Sequence, residues 1–100
     1  MEGPGAAPSQ ATHIQDGKQL FAANCILCHG AKGQGDGILS NVYKPANLGS
    51  DSVQQMSDSL LFTIISSGRN KMPGFDSQMD MQQIQHLVLF IRTLSETPVK

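Results

Sequence analysis

Two cysteines and a histidine stand together in the first third of the chain, in the stretch Cys25-Ile26-Leu27-Cys28-His29. Thiols three residues apart lie about one turn apart on the same face of a helix, so both can reach one flat molecule. An imidazole directly after the second thiol adds a nitrogen ligand for a metal. This C-x-x-C-H order is the pattern for covalent attachment of a c-type haem. It predicts two thioether bonds to one haem and an axial iron ligand from the histidine.

Other uses of a C-x-x-C pair fit the rest of the sequence less well. A thioredoxin-like dithiol stands near a βαβ pattern, and no strand pattern precedes Cys25. A structural zinc site usually has four protein ligands, and the chain has no second cysteine pair. Its other histidines, His13 and His86, lie far apart and lack the spacing of paired zinc ligands. Haem attachment is therefore the preferred interpretation.

A second candidate iron ligand lies in the segment Met72-Pro73-Gly74. A thioether is a soft ligand that suits haem iron, and His/Met ligation raises the reduction potential. Pro73 and Gly74 favour a fixed turn, which would hold Met72 in place. A loop methionine can also simply fill a core. Met72 is the predicted distal ligand, and the competing side chains with ligand chemistry are Met56, Met79, Met81, His13 and His86.

A segment between these two ligands has residues suited to surround a haem. Histidines that bind metals usually donate the other ring N–H to a carbonyl or a carboxylate, and the Pro45 carbonyl is the predicted acceptor for His29. Leu48 is expected to pack on the haem face. Tyr43 and Asn47 are expected to donate to a haem propionate, with ordinary loop capping as the alternative.

Three segments carry the signals of helices, and they must position these residues. The first begins near Asp16, which can cap it, and runs into the cysteines. The second covers residues 58–67, with Ser57 as its N-cap. The third opens with a capping-box pattern at Asp80. Its apolar residues recur at helical spacing and are Ile84, Leu87, Val88, Ile91 and Leu94.

The composition limits the class of protein. The chain has 100 residues, enough for one domain, and a formal net charge of −1 with 15% charged residues. This balance gives no overall field for nucleic acid or an anionic membrane, so neither is expected as a partner. Aromatic residues make up 5%, with no Trp, so a haem would add a large apolar surface to a modest core. No apolar run approaches the roughly 18 residues that span a bilayer.

The N-terminal stretch differs from the rest in composition. Residues 1–13 are rich in Gly and Pro and are predicted to be a flexible lead-in or the remnant of a tether, before one haem domain over residues 14–100. They lack the basic and apolar regions of a signal peptide. Because c-type haem is attached outside the bacterial cytoplasm, we expect an exported, periplasmic protein whose signal or anchor is absent from this sequence.

The order of these features resembles the class I, or mitochondrial-type, cytochrome c family, especially small bacterial monohaem cytochromes. A helix ends in the C-x-x-C-H motif, a loop with Pro45 and Leu48 follows, and Met72-Pro73 precedes an amphipathic final helix. The resemblance covers about residues 14–96. It implies an all-α cytochrome c fold, with three main helices and long loops wrapped around one covalent haem c and its iron.

The resemblance also assigns roles to residues. Cys25 and Cys28 correspond to the thioether cysteines, His29 and Met72 to the axial ligands, and Pro45 to the proline beside the proximal histidine. The first helix is expected to cross the last through Gly17, Phe21, Leu87 and Phe90. One departure from the family's pattern is a glycine-rich segment that makes the interval from His29 to Pro45 longer than in the mitochondrial type.

The function implied by the resemblance is one-electron transfer between redox proteins. Two strong axial ligands leave no open position on iron, so neither a catalytic residue nor a small-molecule substrate is expected. An acidic partner is expected at a basic rim around the haem. The alternative is that these basic side chains are simply scattered over the solvated surface. The rim residues are Lys32, Lys44, Arg69 and Lys71. Membrane contact is expected only through a tether or a membrane-bound partner. The runner-up is an excised haem c domain of a larger membrane-bound or multidomain redox enzyme, and a haem sensor or catalytic haem protein comes third.

Overall fold

The computed structural model describes residues 10–70 and 72–95. The helices in these ranges are α1 Gln10–Asn24, α2 Ile26–His29, α3 Ser40–Tyr43, α4 Asp51–Gln54, α5 Asp58–Ser67 and α6 Met81–Arg92. The same ranges contain no strand, only an isolated bridge between Arg69 and Met72. None of the described helices is long and apolar enough to cross a membrane. The predicted all-α fold is confirmed, and short single-turn helices add to the three main ones.

The first and last helices cross at a glycine. A Cβ on Gly17 would collide with the backbone carbonyl of His86 and lie 2.9 Å from Phe90 Cβ, so only glycine allows this approach. One turn further along α1, Phe21 packs on Phe90 with ring centroids 5.2 Å apart. Phe21 and Leu87 are among the largest fully buried side chains. The expected crossing of α1 and α6 is therefore present, and it places the centre of the core.

Hydrogen bonds close the helix ends where the sequence predicted them. Ser57 Oγ accepts from the Leu60 backbone N–H at 3.0 Å. Asp80 and Gln83 form a reciprocal capping box, with distances of 2.9 and 2.8 Å. Gly68 ends α5 with a φ of +87°, a conformation that favours glycine. The buried residues of α6 are Ile84, Leu87, Val88, Phe90 and Ile91.

The start of α1 differs from the prediction. The helix begins at Gln10 rather than near Asp16. His13 stacks on His86 of α6 with ring centroids 4.4 Å apart, which holds the first turns of α1 against the last helix. Residues 10–13, assigned to the lead-in, are therefore helical. The rest of the predicted lead-in, residues 1–9, lies outside the described residues.

Candidate haem site

The two predicted iron ligands, His29 and Met72, line the same cavity, which has a volume of about 700 Å³. This volume lies within the range of small-molecule and cofactor pockets, roughly 300–1,000 Å³. The wall is mostly apolar and is built by residues from the end of α1 through to the loop after α5. Apolar residues in it include Leu39, Leu48, Val53, Leu61, Ile64 and Phe75. A flat, largely apolar group is the kind of ligand that such a wall accommodates.

Both cysteines contribute to this wall. Cys25 lies at the break between α1 and α2, Cys28 lies within α2, and both are free thiols. Burial, followed by the effect of the neighbouring Cys28, raises the pKa of the Cys25 thiol to about 12. Cys25 is therefore a neutral thiol at physiological pH. Two sulfurs from adjacent turns on one cavity wall match the two attachment points of a single haem.

The ring of His29 is fixed by a backbone carbonyl. Its Nδ1–H donates to the Ala46 oxygen at 3.0 Å, and the residue is only 8% exposed. Because Nδ1 carries the proton, Nε2 keeps its lone pair for a metal. Burial lowers the pKa of His29, and the hydrogen bond to Ala46 opposes this shift in part. The neutral imidazole, the form that binds metals, is favoured.

The acceptor is one residue later than predicted. Pro45 was expected to supply the carbonyl for the His29 ring, and the structure assigns that role to Ala46. Consecutive carbonyls of a non-helical segment point in different directions, so only one of the two can face the ring. The Pro45 oxygen lies instead beside Gly35, where an added Cβ would be 3.0 Å away. Pro45 still lines the cavity, as does Leu48.

Of the two residues predicted to donate to a haem propionate, only Tyr43 lines the cavity. Asn47 takes the alternative role of loop capping, since its Oδ1 accepts from the Gly49 N–H at 3.0 Å. Asn47 is not part of the cavity wall, whereas Tyr43 is. Sequence reasoning did not single out Ser52 or Asn70, for which no local pattern gives a signal. The polar residues of the wall include Tyr43, Lys44, Ser52, Arg69 and Asn70.

Met72 reaches the cavity from a tight turn after α5. Its backbone N–H donates to the Arg69 oxygen at 2.9 Å, and the Arg69 N–H donates back to the Met72 oxygen at 3.0 Å. Asn70, inside the turn, has a φ of +55°, in the left-handed region that Asn tolerates better than most residues. A Cβ on Gly68 would lie 2.7 Å from the Met72 oxygen. The expected turn therefore precedes Pro73 and Gly74: it runs from Arg69 to Met72 and holds the backbone of Met72 in place.

The structure reduces the competing distal ligands to one. His13 and His86 stack on each other at the α1–α6 crossing and do not line the cavity. Met79 is buried in the core and Met81 is 68% exposed. Within the described part of the chain, Met56 is the competitor that shares the cavity with Met72. It lies in the connection between α4 and α5.

These residues fit a covalently bound haem. One apolar cavity is lined by two thiols, a neutral imidazole with an anchored Nδ1, and a thioether. Polar and basic side chains in the same wall suit the two carboxylates of a haem. The fold and this set of donors together define a c-type cytochrome.

The comparison with protein families gives the same class. The family described as "Cytochrome C oxidase, cbb3-type, subunit III" matches residues 12–91, and the chain belongs to that family. The resemblance to small monohaem class I cytochromes c is confirmed. The protein carries covalently bound haem c with its iron, and it is an electron carrier.

Several relatives show how much of the chain the resemblance covers. Cytochrome c6 of Synechococcus sp. is 27% identical over 90 residues, which are 86% of this chain and 74% of that protein. The cbb3-type cytochrome c oxidase subunit FixP of Azorhizobium caulinodans is 28% identical over 93 residues, which are 90% of this chain and 30% of FixP. The solved structure of the KustC0563 c-type cytochrome has a TM-score of 0.73 at 23% identity, covering 81% of this chain and 99% of that one.

Proposed function

We propose that this chain transfers single electrons through one haem c, with Cys25 and Cys28 as the thioether residues and His29 and Met72 as the axial ligands. When bound, the haem supplies an iron centre that accepts and releases one electron. The observation that supports the proposal is that one apolar cavity is lined by all four of these residues. With His29 and Met72 both bound to the iron, no coordination position would be left for a substrate.

The chain's own residues hold and tune the group. Ala46 fixes the orientation of the His29 ring, and the Arg69–Met72 turn holds the distal thioether. Lys44 and Arg69, both in the cavity wall, are placed to pair with haem carboxylates. Pairing them there would reduce the positive charge that the same residues present to a partner.

The axial ligands are tested by exchanging the two methionines of the cavity one at a time. Met72→Ala should open a coordination position, so the reduced protein should bind carbon monoxide at neutral pH and its midpoint potential should fall. Met56→Ala, the matched control from the same cavity, should bind no carbon monoxide and keep the potential of the unchanged protein. The reverse pattern would make Met56 the ligand. Carbon monoxide binding by the unchanged protein would favour the sensor or catalytic interpretation.

The surface beside the cavity supports a partner that is held mainly by apolar contact. Leu27, Ile38 and Val42 are exposed by 58, 83 and 58%, and the Leu39 N–H donates to the Leu27 oxygen at 2.8 Å, which joins the segments that carry them. Single exposed apolar residues are common, but several on joined segments, one of which lines the cavity through Leu27, are consistent with an interaction site. We infer that this apolar surface faces the redox partner.

The basic rim remains a second proposal for the same contact. Lys32 is exposed, Lys44 and Arg69 line the cavity, and Lys71 lies outside the described residues. Electron transfer to a purified acidic acceptor should slow steeply with added salt if the rim steers it, because salt screens exposed charges. Ile38→Glu should slow transfer at every salt concentration if the apolar surface is the contact. Gln34→Glu, which adds the same single charge at an exposed position outside both surfaces, serves as the charge control. If the transfer rate falls steeply with salt and the Ile38→Glu variant transfers electrons normally, the basic rim and not the apolar surface is the contact with the partner.

A haem domain within a larger oxidase subunit is the second candidate function. The match to FixP covers 90% of this chain and 30% of FixP, and the family is described as a cbb3-type oxidase subunit. The mass and compartment of the native protein separate the two candidates. A small protein in the periplasmic fraction would support the exported, free carrier. A larger haem-staining band in the membrane fraction would support the subunit.

A further inference from the structure

The glycine-rich stretch 30–37 connects the helix of the proximal histidine to the loop that orients it. On one side, the Gly35 N–H donates to the His29 backbone oxygen at 2.8 Å. On the other side, the Leu48 N–H donates to the Gly33 oxygen at 2.6 Å. The stretch that lengthens the interval between His29 and Pro45 is therefore bonded to both ends of that interval.

Gly35 also lies against the carbonyl that fixes the His29 ring. It has a φ of +86°, and an added Cβ would lie 3.4 Å from the Ala46 oxygen and 3.0 Å from the Pro45 oxygen. The Ala46 oxygen in turn accepts from His29 Nδ1 at 3.0 Å. A side chain at position 35 would therefore press on the Pro45 carbonyl and touch the Ala46 carbonyl that follows it and that accepts from His29. Since the backbone of Gly35 is bonded to His29, the two cannot separate freely.

We propose that Gly35 is a positioning residue for the proximal histidine, because its missing side chain sets how closely the Ala46 carbonyl approaches His29 Nδ1. The inference rests on the proposed function, since it takes His29 as an iron ligand. A hydrogen bond from the outer nitrogen of a metal-bound histidine raises the basicity of the ligand. A more basic imidazole favours the oxidised, more positively charged iron. A weaker hydrogen bond from His29 should therefore raise the reduction potential.

The neighbouring Gly33 provides a matched control. It also has a positive φ, +72°, so alanine there suffers the same kind of backbone strain. A Cβ on Gly33 would meet side-chain atoms instead, with Leu94 Cδ1 at 2.7 Å and Leu48 Cβ at 3.3 Å. Variants at both positions disturb the same stretch, and of the two only those at Gly35 place a Cβ in contact with the Pro45 and Ala46 carbonyls.

The test compares Gly35→Ala and Gly33→Ala in the haem-loaded protein by redox titration. Gly35→Asn and Gly33→Asn are added because Asn tolerates a positive φ better than Ala while keeping the Cβ, which protects the comparison if an alanine variant folds poorly. We expect both Gly35 variants to raise the potential by at least a threefold change in the oxidised-to-reduced ratio, about 28 mV at 59 mV per tenfold change. The Gly33 variants should shift it less than half as far.

A second measurement follows the hydrogen bond itself. In the reduced protein, the His29 Nδ1 proton should resonate at a lower chemical shift and exchange faster with water in the Gly35 variants than in the Gly33 variants. Equal potentials in the two sets, or a fall in potential at Gly35, would overturn the proposal. Failure of the proposed function would be recognised separately, because the unchanged protein would then lack a haem c spectrum or a His29 proton shifted by iron ligation.

Discussion

Arg92 at the end of α6 joins that helix to the end of α4 and to the connection that follows it, which supplies Met56 to the cavity wall. Its Nη1 donates to the Gln54 carbonyl at 2.8 Å and its Nη2 to the Met56 carbonyl at 2.6 Å. The same guanidinium donates to Asp58 Oδ1 from Nε at 3.0 Å and from Nη2 at 2.7 Å. We predict that the two carbonyl bonds, and not the ion pair, account for most of the contribution of Arg92 to stability.

The exposure of Arg92 and Asp58 indicates whether the carbonyl hydrogen bonds or the ion pair contributes more to stability. The Asp58 side chain is 73% exposed, against 28% for Arg92. An exposed ion pair contributes about 0–1 kcal/mol. Hydrogen bonds from a charged group contribute about 1.5–3 kcal/mol each, and partial exposure puts the two carbonyl bonds near the lower end. Arg92→Ala should therefore reduce the free energy of unfolding by about 2–4 kcal/mol, and Asp58→Asn by less than about 1 kcal/mol.

Urea unfolding of the oxidised, haem-loaded protein measures both changes, followed by circular dichroism and by haem absorbance. The cost of Arg92→Ala should remain nearly constant between low and high salt, because screening acts on the exposed pair and little on the carbonyl bonds. The reasoning would be refuted if Asp58→Asn lowered the free energy of unfolding as much as Arg92→Ala does. A loss of most of the Arg92→Ala effect in high salt would refute it equally.

Two further predictions concern the helix crossing and the attachment motif. Gly17→Val should push α1 away from α6, because its Cβ would meet the His86 carbonyl. It should lower the free energy of unfolding by about 1–3 kcal/mol in the same urea assay. An unchanged free energy would show that the backbones of the two helices are not held in contact. Cys25→Ser should leave one haem vinyl group unsaturated and in conjugation with the macrocycle. The absorption bands of the reduced protein should then lie at longer wavelength than those of the unchanged protein, and an unshifted spectrum would remove Cys25 from the thioether pair.

The parts of the site that the sequence predicted are those set by neighbours in the chain. The C-x-x-C-H motif places two thiols and an imidazole within two turns, and the caps at Ser57 and Asp80 depend on residues three positions away. Such contacts follow from helix geometry alone. The pairing of α1 with α6 came from the family resemblance, since no local pattern specifies which helices pack together.

The features that could not be predicted from the sequence depend on contacts between segments that are distant in the chain. The choice of Ala46 over Pro45 as the acceptor accompanies a turn at Lys44, with a φ of +48°, and a close approach of Gly35 to both carbonyls. The early start of α1 follows from His13 meeting His86. No periodicity or spacing encodes either contact, so neither could be predicted without the folded chain.

The distribution of near and distant contacts sets an expected order of folding. The backbone amides of Gly35, Gly37 and Leu39 bond to the carbonyls of residues 27–29, so the attachment motif is ordered by its immediate successors. The contact between Gly17 of α1 and His86 of α6 instead closes a loop that contains most of the chain. Long loops cost more entropy to close and slow folding. Pulse-labelling hydrogen exchange should therefore show these three amides protected before those of α6. The segment of Cys25 and Cys28 should be ordered while the two ends of the chain are still apart.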